Sequence, residues 1–177
     1  MKYKESRGNI FAESSDFKFV QCISADLEMS KGIAPQFNKN FNTKEIINSY
    51  YPNGKILTKW HNDNSYDRGY CIYIDPVYNL ITKDLFFKKP NMITMENSLR
   101  QLKKLSLMNE DYKLAMPKIG CGLDQLNWNK VSSLIKKIFS DTDTEIHVWY
   151  LKDFIRWVSF IELIISFLKI KYKKKGK

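Results

Sequence analysis

The sequence predicts one layered α/β domain followed by an apolar and basic C-terminal helix. Strand-like segments alternate along the chain with segments of helical periodicity, which is the pattern of an α/β layered fold. A glycine-rich stretch, Gly120-Cys-Gly-Leu-Asp124, lies between a predicted strand and a predicted helix, where α/β proteins commonly bind anions. The length of 177 residues suits one domain with its own core and a tail.

The first predicted strand covers residues 17–24, where aromatic and β-branched residues cluster without a breaker. A turn at Gly8–Phe11 precedes this strand. A polar connection follows it, with Gly32 just before an apolar segment at residues 33–41. A glycine at this point fits an ordinary strand-to-helix connection or a loop that holds phosphate, and the local sequence leaves both interpretations open.

The next segments predict a helix at residues 43–51, which Pro52-Asn-Gly54 ends, and a strand at residues 55–60. Residues 61–69 are polar and rich in turn formers, so they predict a surface loop.

Two strands are then predicted at residues 70–74 and 77–82, with Asp75-Pro76 between them. Lys83 stands where the second of these strands ends. Residues 84–90 predict a loop that contains the pair Phe86-Phe87.

Two amphipathic helices dominate the second half. Apolar residues recur along one face of residues 94–108, and Thr94 is the predicted N-cap. Residues 131–139 show the clearest helical periodicity of the chain, within a helix that begins near Asn127. Strands are predicted at residues 112–116, before the glycine-rich stretch, and at residues 145–151.

The cysteine and histidine content argues against a disulfide scaffold and a metal site. Three cysteines form no C-x-x-C pair, which favours an intracellular, reducing compartment such as the cytoplasm or nucleus, including that of a host cell. Two histidines have no zinc-ligand spacing, so no metal is expected. The N-terminal residues lack the apolar segment of a signal peptide, which agrees with that compartment.

Residues 152–177 form a second predicted unit beside a domain at residues 1–151. The segment has eight Lys/Arg and two Asp/Glu, so it carries +6 of the net charge of +10. A narrow polar stripe along residues 154–170 predicts a helix with a broad apolar surface. Three interpretations of this helix remain open. It packs on the domain or on a second subunit, it associates peripherally with an anionic membrane surface, or it spans the membrane. The charges of Arg156 and Glu162 disfavour a transmembrane helix.

Several motifs together resemble the macro domain family. More narrowly, they are similar to the terminal ADP-ribose protein glycohydrolase branch, also called O-acetyl-ADP-ribose deacetylases. The resemblance covers about residues 5–151. It implies a three-layer α/β/α macro domain with a mixed central sheet and ADP-ribose in a cleft at the strand ends. The motifs are residues 8–11, 21–24, 29–34, 80–83, 116–124 and the pair Leu126 and Trp128.

The resemblance implies the roles of individual residues. Lys83 and Asp124 match the catalytic pair of the family. Two positions depart from its pattern: Asn9 stands where an Asp holds the adenine amino group, and Ser30 stands where Gly is usual. An Asn oxygen still accepts a hydrogen bond but has no charge, so weaker adenine binding is expected. The implied ADP-ribose contacts are Asn9, Ile10, Ser24, Gly32, Ile33, Ala34, Pro117, Gly120, Cys121, Gly122 and Leu123.

The chemistry of lysine and aspartate supports the same assignment. The C1 atom of ADP-ribose is an electrophile, and an uncharged lysine amine can attack it to form a Schiff-base type adduct. Lysine in water has a pKa of ~10.4, so a base such as Asp124 must accept its proton. From the residues alone, a solvated lysine at a strand end is the favoured interpretation of Lys83, and an aspartate that caps a turn is that of Asp124; the resemblance reverses this preference.

The resulting prediction is a hydrolase that removes mono-ADP-ribose from acidic side chains of proteins and that also deacylates O-acetyl-ADP-ribose, without a cofactor. One alternative is a non-catalytic ADP-ribose reader, although a reader has no need of the Lys83 and Asp124 pair. Another is a hydrolase of ADP-ribosylated DNA bases, with nucleic acid held by the lysine-rich tail.

Three further side chains have two interpretations each. Cys121 is either a nucleophile with a lowered pKa or a small packing residue, and the absence of a nearby histidine in the sequence favours packing. Phe11 and Trp149 are either faces for adenine or members of the core, and core packing is favoured for each.

Overall fold

A mixed six-stranded sheet forms the centre of the protein. The computed structural model describes residues 1–63 and 68–151. The sheet order is β1-β6-β5-β2-β4-β3, and every neighbouring pair is parallel except β3 with β4. The carboxyl ends of the five parallel strands therefore meet at one edge of the sheet. The strands are β1 (Lys2–Arg7), β2 (Lys18–Ser24), β3 (Tyr70–Ile74), β4 (Val77–Lys83), β5 (Lys113–Pro117) and β6 (Glu145–Tyr150).

Helices cover both faces of this sheet, which confirms the predicted three-layer architecture. The α4 and α5 helices share one core cluster with residues from β2, β4, β5 and β6. The first three helices pack on the opposite face in two smaller clusters. The helices are α1 (Ala34–Phe41), α2 (Thr43–Tyr50), α3 (Lys55–Asn62), α4 (Met92–Met108) and α5 (Trp128–Phe139), with a 3-10 turn at Ile10–Ala12.

The β4 strand shows why these segments form a buried sheet. Tyr78 and Leu80 point into the cluster under α4 and α5, whereas Val77 and Ile81 point to the opposite face. All four side chains are fully buried. Successive side chains of a strand alternate between its faces, so a strand covered on both sides is apolar throughout.

The prediction of a strand at residues 55–60 is wrong, because this segment forms α3. Ile56 and Trp60 lie four residues apart on one helical turn, and both are buried in the same cluster. The Trp60 ring packs edge-on against Tyr70, with the ring centroids 5.7 Å apart. A run of six residues that mixes polar and apolar side chains is too short for its periodicity to distinguish a helix from a strand. The packing of Ile56 and Trp60 in the core selects the helix. His61 and Asn62 also belong to α3, not to the predicted surface loop.

The β1 strand was not predicted. Its sequence, Lys2–Arg7, is mostly charged and exposed, since it forms the edge of the sheet beside β6. Edge strands commonly carry charged side chains, which discourage pairing with other chains. The strand is therefore defined by its pairing with β6, not by an apolar pattern.

The predicted N-cap of α4 is also corrected. Asn91, not Thr94, caps this helix: its side chain accepts a hydrogen bond from the Thr94 N–H at 2.9 Å. The Thr94 hydroxyl oxygen in turn accepts one from the Asn91 N–H at 3.3 Å, which completes a capping box. Thr94 thus takes part in the cap three residues inside the helix.

The other predicted strands and helices are confirmed, with boundaries that differ by at most a few residues. None of the helices within the described residues is long and apolar enough to cross a membrane. The predicted C-terminal helix and lysine-rich tail lie in residues 152–177, outside the described residues, so the domain boundary after residue 151 remains a prediction.

Candidate functional site

A cleft of about 260 Å³ opens at the carboxyl edge of the sheet. Its walls come from the ends of β2 and β4, from the loop before α1 and from the loop after β5. This position follows the general rule that open α/β sheets bind ligands at the carboxyl ends of their strands. The lining residues are Cys22, Ile23, Ser24, Glu28, Met29, Lys31, Gly32, Ile33, Ala34, Lys83, Phe86, Pro117, Lys118, Ile119, Gly120, Gly122, Leu123 and Asp124.

Lys83 and Asp124 form an ion pair inside this cleft. The Lys83 Nζ donates to the Asp124 Oδ1 at 2.5 Å, and the two side chains are only 13% and 14% exposed. The interpretation of Lys83 as a solvated lysine at a strand end is therefore wrong. A paired ammonium and carboxylate at hydrogen-bonding distance can exchange a proton, which is the first requirement of acid–base chemistry here.

The pair bridges two strands that are not neighbours. Lys83 is the last residue of β4, and Asp124 lies in the loop after β5, while β2 runs between these strands. Adjacent strands lie ~4.8 Å apart, so the loop must extend over the end of β2 to bring its carboxylate to Lys83. Ser24, the last residue of β2, consequently lies in the same cleft.

Gly120 gives the loop after β5 its shape. Its φ is +67°, and a Cβ there would lie 2.6 Å from the Met95 Cε and 2.9 Å from a Leu126 methyl carbon. The Leu126 N–H also donates to the Gly120 carbonyl at 2.8 Å, which closes the turn that holds Asp124. Only glycine fits this left-handed and crowded position without strain. A Cβ added at Gly122, by contrast, would have no atom within 4 Å.

Asp26 organises the opposite side of the cleft. Its Oδ1 accepts a hydrogen bond from the Ser24 hydroxyl at 2.5 Å, and its Oδ2 accepts one from the Phe86 N–H at 2.9 Å. The Asp26 N–H donates to the Asp84 carbonyl at 3.0 Å. One carboxylate thus joins the end of β2 to the loop after β4 and fixes the Ser24 hydroxyl. No local sequence pattern marks this role, since Asp26 lies in an ordinary polar connection.

The two cysteines near the cleft are protonated packing residues. Burial raises the pKa of Cys22, and the nearby Asp124 charge adds to this effect. Burial raises the pKa of Cys121 to about 11, although the Lys118 charge acts in the opposite direction. The Cys121 thiol donates to the Ile119 carbonyl at 3.2 Å, and Cys121 itself does not line the cleft. These features support its packing role and oppose a thiolate nucleophile.

Phe11 and Trp149 are partly buried and pack against the core cluster formed by Ile10, Phe17, Phe19, Phe37, Val77 and Ala115. Phe11 packs edge-on against Phe37, with the ring centroids 5.0 Å apart. The Trp149 indole donates to the Glu13 carboxylate at 2.8 Å, and Glu13 also pairs with His147. The favoured interpretation of both aromatic residues as core residues therefore agrees with their contacts.

Asn9 and Ile10 also lie away from the lining of the cleft. The Asn9 Oδ1 accepts a hydrogen bond from the Phe11 N–H at 3.1 Å and so caps the 3-10 turn, and Ile10 is buried beneath it. Their predicted contacts with an adenine group remain predictions.

The structure brings most of the predicted site together. Ten of the thirteen predicted site residues line the cleft, and the three outside its lining are Asn9, Ile10 and Cys121. Two missed residues, Met29 and Lys31, fall inside a motif that had been singled out. Phe86 was noted only as half of the Phe86-Phe87 pair in a predicted loop, and Lys118 lies inside the motif at residues 116–124 but had no predicted role. Within residues 1–63 and 68–151, no group of His, Cys, Asp and Glu side chains is arranged to hold a metal ion.

Comparisons with known proteins agree with this architecture. The chain is 36% identical over 146 residues to the ADP-ribose glycohydrolase OARD1 of Bos taurus, covering 82% of this chain and 89% of that protein. It is 35% identical to OARD1 of Homo sapiens, with the same coverage of both chains. No family model matches the sequence.

Solved structures show the same fold at lower sequence identity. The macrodomain of Mycobacterium tuberculosis DarG superposes with a TM-score of 0.66 at 17% identity, over 85% of this chain and 98% of that chain. Thermosipho africanus DarTG, solved in complex with ADP-ribose, has a TM-score of 0.59 at 17% identity, over 82% of this chain and 41% of that chain. With the extended similarity to OARD1, these findings show that the chain belongs to the macro domain family, in its branch of the OARD1, terminal ADP-ribose glycohydrolase type.

Proposed function

We propose that the protein binds ADP-ribose in the cleft and hydrolyses mono-ADP-ribose from acidic side chains of proteins. The observation that carries this proposal is the Lys83 and Asp124 pair, which lies 2.5 Å apart in a cleft at the carboxyl edge of the sheet. The similarity to OARD1, named as an ADP-ribose glycohydrolase, supports the class of reaction. The ADP-ribose complex of the DarTG neighbour supports the class of ligand.

The two loops of the cleft fit the parts of ADP-ribose. Gly32 and Ile33 stand just before α1 on one wall, and Gly120 and Gly122 stand on the other, so backbone amides flank the space for a pyrophosphate. Glycine-rich loops before helices hold anions through such amides. The distal ribose then lies next to Lys83, with the Ser24 hydroxyl beside it.

The reaction begins with transfer of a proton from the Lys83 ammonium to the Asp124 carboxylate. The neutral amine then attacks C1 of the distal ribose. The bond between C1 and the acceptor carboxylate oxygen breaks, and the acceptor leaves as a free carboxylate. Ring opening gives a Schiff base at C1, which water hydrolyses to release ADP-ribose and to regenerate Lys83, while Asp124 returns the proton.

We further propose that the same cleft accepts O-acetyl-ADP-ribose as a second substrate. Its ester also joins an acyl group to the distal ribose, close to the position of Lys83 and Asp124. Because an acetyl group is small, this ester makes few contacts beyond the ribose. Its rate of hydrolysis therefore measures the activity of the cleft itself, without binding contributions from a large acceptor.

The direct test measures ADP-ribose binding by calorimetry and ADP-ribose release from a glutamate-modified protein and from ADP-ribosylated single-stranded DNA. We expect binding, and release from the glutamate-modified protein. Binding without release from either substrate would leave an ADP-ribose reader, and release from the DNA alone would identify a nucleobase hydrolase. Absence of ADP-ribose binding would contradict every version of the proposal.

A further inference from the structure

We propose that Phe86 and Phe87 form an acceptor-binding wall, which contacts an apolar residue next to the modified acidic side chain of a protein substrate. Phe86 lines the cleft, and the Phe87 ring packs edge-on against it with the centroids 5.4 Å apart. Phe87 is 66% exposed and extends the wall out of the cleft. This inference rests on the proposed function, because the acceptor is the group that Lys83 displaces from C1.

The position of the wall follows from the position of Lys83. The Phe86-Phe87 pair begins three residues after Lys83, in the loop that leaves the end of β4. When C1 of the distal ribose lies at the Lys83 amine, the acceptor bonded to C1 must leave the cleft past residues beside Lys83. Phe86 lines this region and the exposed Phe87 ring packs on it, so an acceptor that leaves the cleft on this side passes beside Phe87.

Hydrogen bonds hold the wall in place before any substrate arrives. The Phe86 N–H donates to Asp26 at 2.9 Å, and the Lys88 ammonium pairs with Asp84 at 2.6 Å. The Lys89 ammonium donates to the Gln125 side chain, which follows Asp124 across the cleft. A preorganised surface loses little conformational entropy on binding, so exposed rings held in this way suit recognition.

The exposed surface of the wall consists of aromatic rings, which suits contact with an apolar peptide side chain. Cations flank these rings: the Lys89 ammonium donates to the neutral Gln125 side chain, and the Lys31 ammonium lies 5.6 Å from the Phe86 ring centroid, whereas the Lys88 charge is compensated by Asp84. Leu123, also a lining residue, is 63% exposed, so both sides of the opening present apolar groups. Exposed apolar side chains concentrated at the opening of a cleft are typical of a protein-binding surface.

The test compares binding of three probes by calorimetry, to the full-length wild type and to Phe87→Ala. The first is free ADP-ribose. The second and third are peptides that carry ADP-ribose on a glutamate-derived side chain through a non-hydrolysable link, flanked either by leucine or by glycine. We expect the wild type to bind the leucine peptide about tenfold more tightly than the glycine peptide, and Phe87→Ala to remove this preference.

The affinity for free ADP-ribose should stay within about twofold in Phe87→Ala, since the Phe87 ring lies outside the cleft lining. Tyr50→Ala provides a matched control: Tyr50 is an exposed aromatic residue at the end of α2, away from the cleft. It should keep the leucine preference.

Specific outcomes would overturn the inference. If the wild type binds ADP-ribose but does not distinguish the two peptides, or if Phe87→Ala keeps the preference, the acceptor-binding wall is wrong while the proposed function stands. If Phe87→Ala weakens binding of an ADP-ribosylated single-stranded oligonucleotide but not of the leucine peptide, the wall recognises a nucleobase instead. If the wild type does not bind ADP-ribose, the proposed function fails together with this inference.

Discussion

Lys83 Nζ and Asp124 Oδ1 lie 2.5 Å apart although the two residues are 41 positions apart in the sequence. The strand between their supporting strands, β2, ends beneath them at Ser24. Both side chains are largely shielded from water, so the attraction between their charges is only weakly screened. Because of this geometry, we expect Lys83 and Asp124 to act as one chemical unit.

Replacing either member of the pair should remove most of the hydrolytic activity. We expect Lys83→Ala and Asp124→Asn each to reduce kcat for release from a glutamate-modified protein by ~10²–10⁴-fold, because nucleophile and base act in the same step. The double variant should lose little more than either single variant, since residues that act as a unit are not additive. Single-turnover kinetics measures these rates.

The matched control is Lys113→Ala, which breaks a surface ion pair between Lys113 and Asp16. Lys113 begins β5, so this pair lies at the amino-terminal ends of the strands, away from the cleft. It should retain the wild-type rate. Borohydride treatment during turnover should also trap a reduced adduct on Lys83 that mass spectrometry detects. Full activity of Lys83→Ala would rule out the lysine-adduct mechanism, although an enzyme that activates water through Asp124 would remain.

Gly120→Ala should destabilise the protein by about 1–3 kcal/mol. The new Cβ would have a left-handed φ of +67° and would lie within 3 Å of Met95 and Leu126 side-chain atoms. Denaturant unfolding measures the change in free energy. Gly122→Ala is the comparison, since no atom lies within 4 Å of its built Cβ and its φ is not left-handed. Equal stability of the two variants would contradict the described shape of the loop.

Cys121 should react slowly with alkylating agents near neutral pH. Because burial raises the pKa of its thiol to about 11, only a small fraction is thiolate at pH 7.5. We expect the alkylation rate, followed by mass spectrometry of the Cys121 peptide, to rise about tenfold per pH unit up to pH 9. A free thiol such as glutathione serves as the reference and should level off at a lower pH. A plateau for Cys121 near pH 7 would instead indicate an activated thiolate.

Glu13 should stabilise the fold in a manner that depends on pH. Burial acts to raise the pKa of Glu13, but hydrogen bonds from Trp149 and Ser14 and the His147 charge lower it, and the net direction is down. A carboxylate with a lowered pKa in the folded state contributes stability above its unfolded pKa of ~4.3, and this contribution disappears as the pH falls through the folded pKa.

The measurement is the free energy of unfolding of wild type and Glu13→Gln between pH 3 and pH 7. We expect Glu13→Gln to be less stable at pH 6, by about 1–3 kcal/mol, with the difference shrinking below pH 4. Asp16→Asn is a suitable control, because Asp16 is a surface carboxylate whose ion pair with Lys113 contributes little. A difference for Glu13→Gln that does not change with pH would show that its charge has no role.

The sequence by itself determined the architecture and most of the cleft. Three local patterns carry this information: the periodicity of α5, the apolar character of β2 and β4, and the glycine-rich turn after β5. Each pattern indicates which side chains must be buried or which backbone conformation is required. Asp124 stood out in its glycine-rich turn, but the catalytic role of Lys83 and its pairing with Asp124 came from the resemblance of their motifs to the macro domain family.

Tertiary structure alone decided the features that depend on distant partners. The β1 strand has no apolar pattern and exists because β6 pairs with it, and α3 is a helix because Ile56 and Trp60 pack on the same cluster. The meeting of Lys83 with Asp124 depends on the strand order, which places β2 between β4 and β5. Local sequence reports burial and backbone preference, whereas strand order and contacts across the cleft arise from the free energy of the whole packed domain.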